Sequence, residues 1–235
     1  MIASQTGHPQ GRIRVGIGGW TYAPWRGTFY PKGLKPADEL RYAASRLTAI
    51  EINATYYRLQ SRASFAKWAK AAPDGFKFAV KGPRLVTQQT VLAETGDFVR
   101  RFVDSGLAAL GDKLGPVLWQ FAPFKRFDRD DLARFLDRLP RTVGGLPLDH
   151  AIEPRHASFR TPDFVALLRE TGTSAAFSDA ETWPSIPDLT GPIVYARLQR
   201  GDDRLPAAYP PEELDAWAAR AAVRRCCRRG GRQQQ

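Results

Sequence analysis

A carboxylate, a guanidinium and an imidazole stand within four residues in Glu153-Pro154-Arg155-His156, directly after the apolar run His150-Ala151-Ile152. The same arrangement recurs along the chain. Glu51 and Asn53 close the run Ala49-Ile50-Glu51-Ile52-Asn53, and Lys81 closes Phe76-Lys77-Phe78-Ala79-Val80-Lys81. Gln120 closes Pro116-Val117-Leu118-Trp119-Gln120, Asp179 closes Ala175-Ala176-Phe177-Ser178-Asp179, and Arg197 closes Ile193-Val194-Tyr195-Ala196-Arg197. Acid–base chemistry needs carboxylates or an imidazole that exchange protons near neutral pH. Glu51, Glu153, His156 and Asp179 are therefore the candidate catalytic residues. Lys81, Arg155 and Arg197 are candidate holders of a phosphate or carboxylate, and a lysine whose pKa is lowered can also act as a nucleophile. Trp20, Asn53, Tyr56, Tyr57 and Gln120 complete the candidate binding set, because rings wall or stack on a ligand and amides orient it.

Each of these residues also has a structural role open to it. Glu51 can pair with a neighbouring Lys or Arg, Lys81 with Glu51 or Glu153, and the tyrosines can plug a barrel. His156 can cap the helix that follows it. Carboxylates from three strands can hold a divalent cation, but no paired-histidine spacing accompanies them, so no metal is assigned. Gly16-Ile17-Gly18-Gly19 follows a strand yet departs from the dinucleotide fingerprint, and Trp20 and Pro24 stand where its helix would start. No cofactor is assigned.

What must position these side chains is a set of parallel strands. A strand buried on both faces reads as a nearly continuous apolar run, and α/β folds build their sites at the C-terminal strand ends. Seven such runs are present, the first being Val15-Gly16-Ile17-Gly18. Helical spacing fills the intervals: 36–49, 61–72, 97–110 with Asp97 as N-cap and Phe98 on the apolar face, 130–139, a helix opened by Thr161-Pro162-Asp163 and leading to Phe164, Leu167 and Leu168, and 211–222. Thr55, Tyr56 and Tyr57 read as loop, and so does the stretch Trp183-Pro184-Ser185-Ile186-Pro187. Alternating strand and helix predict an α/β fold, a TIM-type (β/α) barrel. An eighth strand should follow 211–222, but Arg224-Arg225-Cys226-Cys227-Arg228-Arg229-Gly230-Gly231-Arg232 and three glutamines stand there instead. The expected organisation is a flexible start at 1–12, a barrel domain at 13–222 and a basic low-complexity tail at 223–235 that leaves the barrel without a normal eighth strand.

The chain carries a net charge of +11, more than half of it from six arginines within residues 220–235. Its basic character is therefore concentrated in the tail and is a weak pointer to nucleic acid. Adjacent Cys226 and Cys227 make neither a disulfide framework nor a zinc site. No apolar run reaches the length of a membrane span, and Met1 to Gly11 lacks a secretory apolar core. A soluble cytoplasmic protein with no membrane partner is expected.

The segments Gly18-Gly19-Trp20-Thr21-Tyr22, Trp25-Arg26-Gly27 and Phe29-Tyr30-Pro31-Lys32-Gly33-Leu34 resemble the opening of the domain-of-unknown-function 72 proteins, the YecE-like family. So do Glu51-Ile52-Asn53-Ala54-Thr55-Tyr56-Tyr57-Arg58-Leu59, Phe76-Lys77-Phe78-Ala79-Val80-Lys81, Gly111-Asp112-Lys113-Leu114-Gly115-Pro116-Val117-Leu118 and Glu153-Pro154-Arg155-His156-Ala157-Ser158-Phe159. The resemblance covers about residues 13–219 and implies a TIM-type barrel, with no activity attached. Two departures stand out. The family's Arg-Leu-His-Gly motif reads Arg197-Leu198-Gln199-Arg200-Gly201 here, and its aromatic eighth strand is replaced by the Arg/Cys/Gln tail, as a shifted reading frame would produce.

The function expected on these grounds is an enzyme of hydrolase or lyase type. Its substrate would be phosphorylated, sugar-like or derived from nucleic acid, and would bind at the C-terminal mouth. The alternatives are a nucleic-acid-binding, repair-related module and a catalytically impaired relative of an enzyme. A mouth lined by residues of both charge signs suits a small anionic or sugar-like ligand.

Overall fold

The structure is a computed structural model that describes residues 11–202, 204–205 and 208–227, the side chains only as far as residue 223. Residues 15–199 form one compact unit, and the described residues from 200 onward group with 11–14 in a second. The larger unit is built on seven parallel strands: β1 (Gly16–Gly18), β2 (Ala49–Ile52), β3 (Lys77–Lys81), β4 (Leu114–Gln120), β5 (His150–Glu153), β6 (Ser174–Ser178) and β7 (Tyr195–Arg197). They pair in sequence order, each parallel to the next. Among the described residues no strand joins β7 to β1. This is the curled sheet of a TIM-type barrel that lacks its eighth strand.

Helices cross between the strands: α1 (Glu39–Arg46), α2 (Arg62–Ala71), α3 (Gly96–Asp104), α4 (Arg129–Asp137) and α5 (Pro162–Glu170). Their starts are written in short-range chemistry. Ser61 Oγ accepts the N–H of Ser64, Asp128 Oδ1 accepts that of Asp131, and Thr161 Oγ1 accepts that of Asp163 with Pro162 in the first turn.

Pleat alternation divides the strand side chains into two populations. Ile50, Ile52, Phe78, Val80, Val117, Trp119 and Ile152 face the helices and belong to the main core with Phe65, Phe102, Phe135 and Phe164. Leu118, Ala151 and Ala176 face the other way and form a small cluster capped by Ile193 and Tyr195. Glu51, Lys81, Gln120, Glu153, Ser178 and Arg197 share the parity of this second face. Trp119 is fully buried with its ring edge-on to Phe102 and Phe135, and truncating it to alanine would cost about 3–5 kcal/mol.

Two glycines let the sheet close up beside this core. A Cβ on Gly16 would stand 2.2 Å from the carbonyl oxygen of Ala49, so β1 pairs with β2 only because position 16 carries no side chain. A Cβ on Gly82 would stand 2.4 Å from the Trp119 ring, so the residue that follows Lys81 must be bare for β3 to leave the sheet there.

Several expectations are corrected. Thr55 to Tyr57 lie in a single helical turn, Ala54–Tyr57, and not in a loop. Asp97 is not the N-cap of α3. A 3₁₀ turn at Leu92–Thr95 runs straight into that helix, and its first N–H groups, from Leu92 and Ala93, are taken by the Asp131 carboxylate. Asp97 instead pairs with Arg100 one turn on. Phe98 is exposed, and Val99, Phe102 and Val103 carry the buried face of α3. In the second unit, helix α6 spans Pro211–Cys227, so the arginine-rich stretch is helical through its first residues; positions 228–235 lie outside the described residues. No helix among the described residues is long and apolar enough to cross a membrane.

Candidate functional site

The C-terminal ends of β2, β4, β5 and β7, with the residues just after β5, bring five predicted residues into one hydrogen-bonded group. The Arg197 guanidinium lies between two carboxylates. It donates from Nε and Nη2 to Glu51, at 3.2 and 3.1 Å, and from Nη1 to Glu153 at 2.9 Å. The Gln120 amide nitrogen reaches both oxygens of Glu153, at 2.9 and 3.0 Å, and Arg155 Nε donates to the same carboxylate at 3.3 Å. The Tyr195 hydroxyl donates to Glu51 at 2.7 Å.

Every oxygen of both carboxylates is therefore engaged. Glu153 is fully buried and Glu51 nearly so. A buried carboxylate so engaged is first of all the counter-charge that neutralises the guanidinium. The reciprocal effect appears on the partners. Burial alone would lower the Arg197 pKa, but the Glu153 and Glu51 charges outweigh it and hold it above the ordinary value. Burial and the Glu51 charge push the Tyr195 phenol well above its ordinary value, so it is a fixed hydrogen-bond donor.

Lys81 behaves differently. Its ammonium sits over the face of Tyr56, 4.6 Å from the ring centre, and the Tyr56 hydroxyl accepts a hydrogen bond from the Gln88 amide at 2.9 Å. Among the described residues it closes no ion pair. Burial lowers its pKa; Glu51 and Glu153 oppose the shift, and Arg197 and Arg155 add to it. Arg155 is partly buried and stacks on Trp183, with its guanidinium carbon 4.7 Å from the ring centre. Its two terminal nitrogens have no partner among the described residues.

The remaining predicted residues stand apart from this group. His156 caps the short 3₁₀ turn Ala157–Phe159: its Nδ1 accepts the N–H of Ser158 at 3.1 Å and lies 2.8 Å from the Ser158 hydroxyl. Asp179 stands one residue beyond the inward row, and its carboxylate accepts the N–H of Gln199. Gln199, where the resembling family has histidine, accepts a hydrogen bond from the Ser178 hydroxyl at 3.1 Å. Trp20 packs edge-on to Trp68 beside the main core, and Tyr57 is two-thirds exposed against Tyr56. Asn53 follows β2 beside Gly18, with its Oδ1 buried and unpartnered. Among the described residues no three metal-ligating side chains converge.

Sequence reasoning missed Tyr195 and Trp183. Tyr195 was within reach, because it lies two residues before Arg197 and so on the same face of β7. Trp183 was not, since it enters from the long connection after β6.

The sequence and fold both have close parallels. The chain is 26% identical over 176 residues to the UPF0759 protein YunF of Bacillus subtilis, a match that takes in 73% of this chain but only 58% of that protein's length. A crystal structure of a DUF72 family protein from Thermotoga maritima superposes with a TM-score of 0.71 at 27% identity, covering 90% of this chain and 88% of that one. A second, from Enterococcus faecalis, shares the fold at 19% identity with a TM-score of 0.66, covering 92% of this chain and 85% of that one. The model of the family described as "Protein of unknown function DUF72" matches residues 14–233, and with the barrel and its sequence segments in agreement, this chain belongs to the DUF72 family.

Proposed function

We propose that the mouth is an enzyme site of hydrolase or lyase type for a small anionic substrate, phosphorylated or carboxylated. One observation carries the reading. Three cations, Lys81, Arg155 and Arg197, face two carboxylates, Glu51 and Glu153, and both carboxylates are spent on Arg197, Arg155, Tyr195 and Gln120. One positive charge is left over, and the groups still able to donate are the Lys81 amine and the terminal nitrogens of Arg155. A guanidinium edge and an ammonium over an aromatic face form a receptor for a planar or tetrahedral anion. The Trp183 and Tyr56 rings behind them fix the two cations in place.

The test is a thermal-shift titration with inorganic phosphate, a sugar phosphate and the corresponding neutral sugar at fixed ionic strength. Phosphate-bearing ligands should stabilise the protein at millimolar concentration and the neutral sugar should not. Arg155→Met should abolish the shift while leaving the unliganded melting point within a few degrees. Equal shifts for charged and neutral sugars, or shifts untouched by Arg155→Met, would overturn the reading.

A further inference from the structure

We infer that Lys81 is a covalent residue: its amine condenses with the carbonyl carbon of a substrate that carries a carboxylate or phosphate, giving an imine. The inference rests on the anionic-substrate reading above and narrows it to anionic carbonyl compounds. It starts from a contrast within the site. A lysine kept to balance charge would be expected to contact a carboxylate, and two carboxylates lie on the same inward row as Lys81. Both are instead engaged by other donors, Glu51 by Arg197 and Tyr195 and Glu153 by Arg197, Arg155 and Gln120. The amine is left over the Tyr56 ring with its reactive end uncommitted. Arg155, with two terminal nitrogens to spare, can hold the anionic group that the Lys81 ammonium helps to attract, and keep it in place while the deprotonated amine reacts.

The surroundings suit the chemistry. Imine formation needs a neutral amine to attack and then stabilises a cation. Burial and the charges of Arg197 and Arg155 favour loss of the Lys81 proton, while Glu51 and Glu153 moderate that loss and favour the later iminium. The Tyr56 face attracts either cationic form. In the step itself the Nζ lone pair adds to the carbonyl carbon and the π pair moves to oxygen. A proton passes from nitrogen to that oxygen, and a second from solvent lets it leave as water. The nitrogen lone pair then forms the C=N bond. Overall, an ammonium and a carbonyl give a protonated imine and one water, with no oxidant or reductant consumed. The resulting iminium withdraws electrons from the adjacent carbon, which is the activation a lyase needs.

The experiment is reductive trapping on the full chain. The protein is incubated with glyoxylate and cyanoborohydride, whose hydride reduces an imine to a stable secondary amine, and the modified lysines are located by peptide mass spectrometry. Lys81 should be modified on the order of tenfold faster than exposed Lys32 and Lys35. Inorganic phosphate should slow this reaction, and uncharged glycolaldehyde should label Lys81 less selectively. Lys81→Arg should remove the fast site and leave the slow ones; the wild-type peptide map decides the matter even if that variant fails to fold. Labelling of Lys81 no faster than of Lys32 and Lys35 would overturn the inference, and if phosphate still stabilises the protein the anionic-substrate reading survives it. Preferential labelling that phosphate does not slow, with glycolaldehyde as fast as glyoxylate, would retain the amine chemistry but overturn the anionic class.

Discussion

Two lysines of this barrel, Lys81 and Lys125, show what separates a residue used for folding from one held in reserve. Lys125 is buried, with its ammonium 2.6 Å from Asp131 Oδ2 and 2.7 Å from the carbonyl of Thr90. Asp131 also accepts the N–H groups of Leu92 and Ala93, at 3.0 and 2.8 Å. Burial alone would raise its pKa, but the Lys125 hydrogen bond and those two N–H groups overcome this and lower it. The whole arrangement ties α4 to the turn that opens α3. Lys81 lies at the mouth, where both nearby carboxylates have other partners. One lysine holds elements together; the other stands half-buried over Tyr56 on elements already held.

That contrast can be broken in graded steps. The largest effect is expected at Arg197, on which both mouth carboxylates depend. Arg197→Met should destabilise the protein by about 4 kcal/mol, because it strands two buried charges. A urea denaturation showing a loss under about 1 kcal/mol would mean that the carboxylates find other partners. Lys125→Met should cost about 3 kcal/mol by the same argument for one charge, with much of the loss recovered when Asp131→Asn is added. An absence of coupling in that double-mutant cycle would remove the pair from the stability argument.

The third test uses acid. His150 is buried in β5, with Nδ1 accepting from the Trp119 indole at 3.1 Å and Nε2 2.8 Å from the Pro140 carbonyl. The Trp119 contact requires an unprotonated Nδ1, whereas Nε2 donates to the Pro140 carbonyl in either charge state. Burial drives its pKa from 6.5 to about 4. Above pH 6.5 the ring is neutral in folded and unfolded chains alike, and the stability is fully present. As pH falls from 6.5 towards 4 the unfolded chain takes up a proton that the folded one refuses, and about 3 kcal/mol should be lost. His150→Asn should flatten that part of the stability–pH profile; an unchanged slope would show that other groups set it. The smallest effect belongs to Lys81→Met, which should move stability by no more than about 0.5 kcal/mol. A loss of 2 kcal/mol there would place Lys81 with Lys125 and erase the comparison.

The strands were readable because parallel burial leaves a plain trace of continuous apolar runs. The polar residue at each run's end was a good guide to the mouth for Glu51, Lys81, Gln120, Glu153, Arg155 and Arg197. Roles were harder to read, because partner choice depends on distances that sequence does not carry. Glu51 and Glu153 look like bases until Arg197, from the far end of the chain, is seen between them. His156 sits in a motif rich in functional groups, yet Ser158 two residues on engages its Nδ1. Asp97 misled as a cap because a 3₁₀ turn from the preceding loop merges into its helix, an event decided by Asp131 far along the chain.

Arg197 and Tyr195 of β7 reach Glu51 of β2 through side chains, where no described strand runs between β7 and β1. A main-chain ladder is indifferent to which amino acids compose it, so a site resting on one is free to drift in evolution. Here positions 51, 153, 195 and 197 carry a link between β7 and the first strands that only particular side chains can make. A substitution at any of them would reopen the sheet between β7 and β1, whereas Lys81, Tyr56, Arg155 and Trp183 can be exchanged without breaking that link.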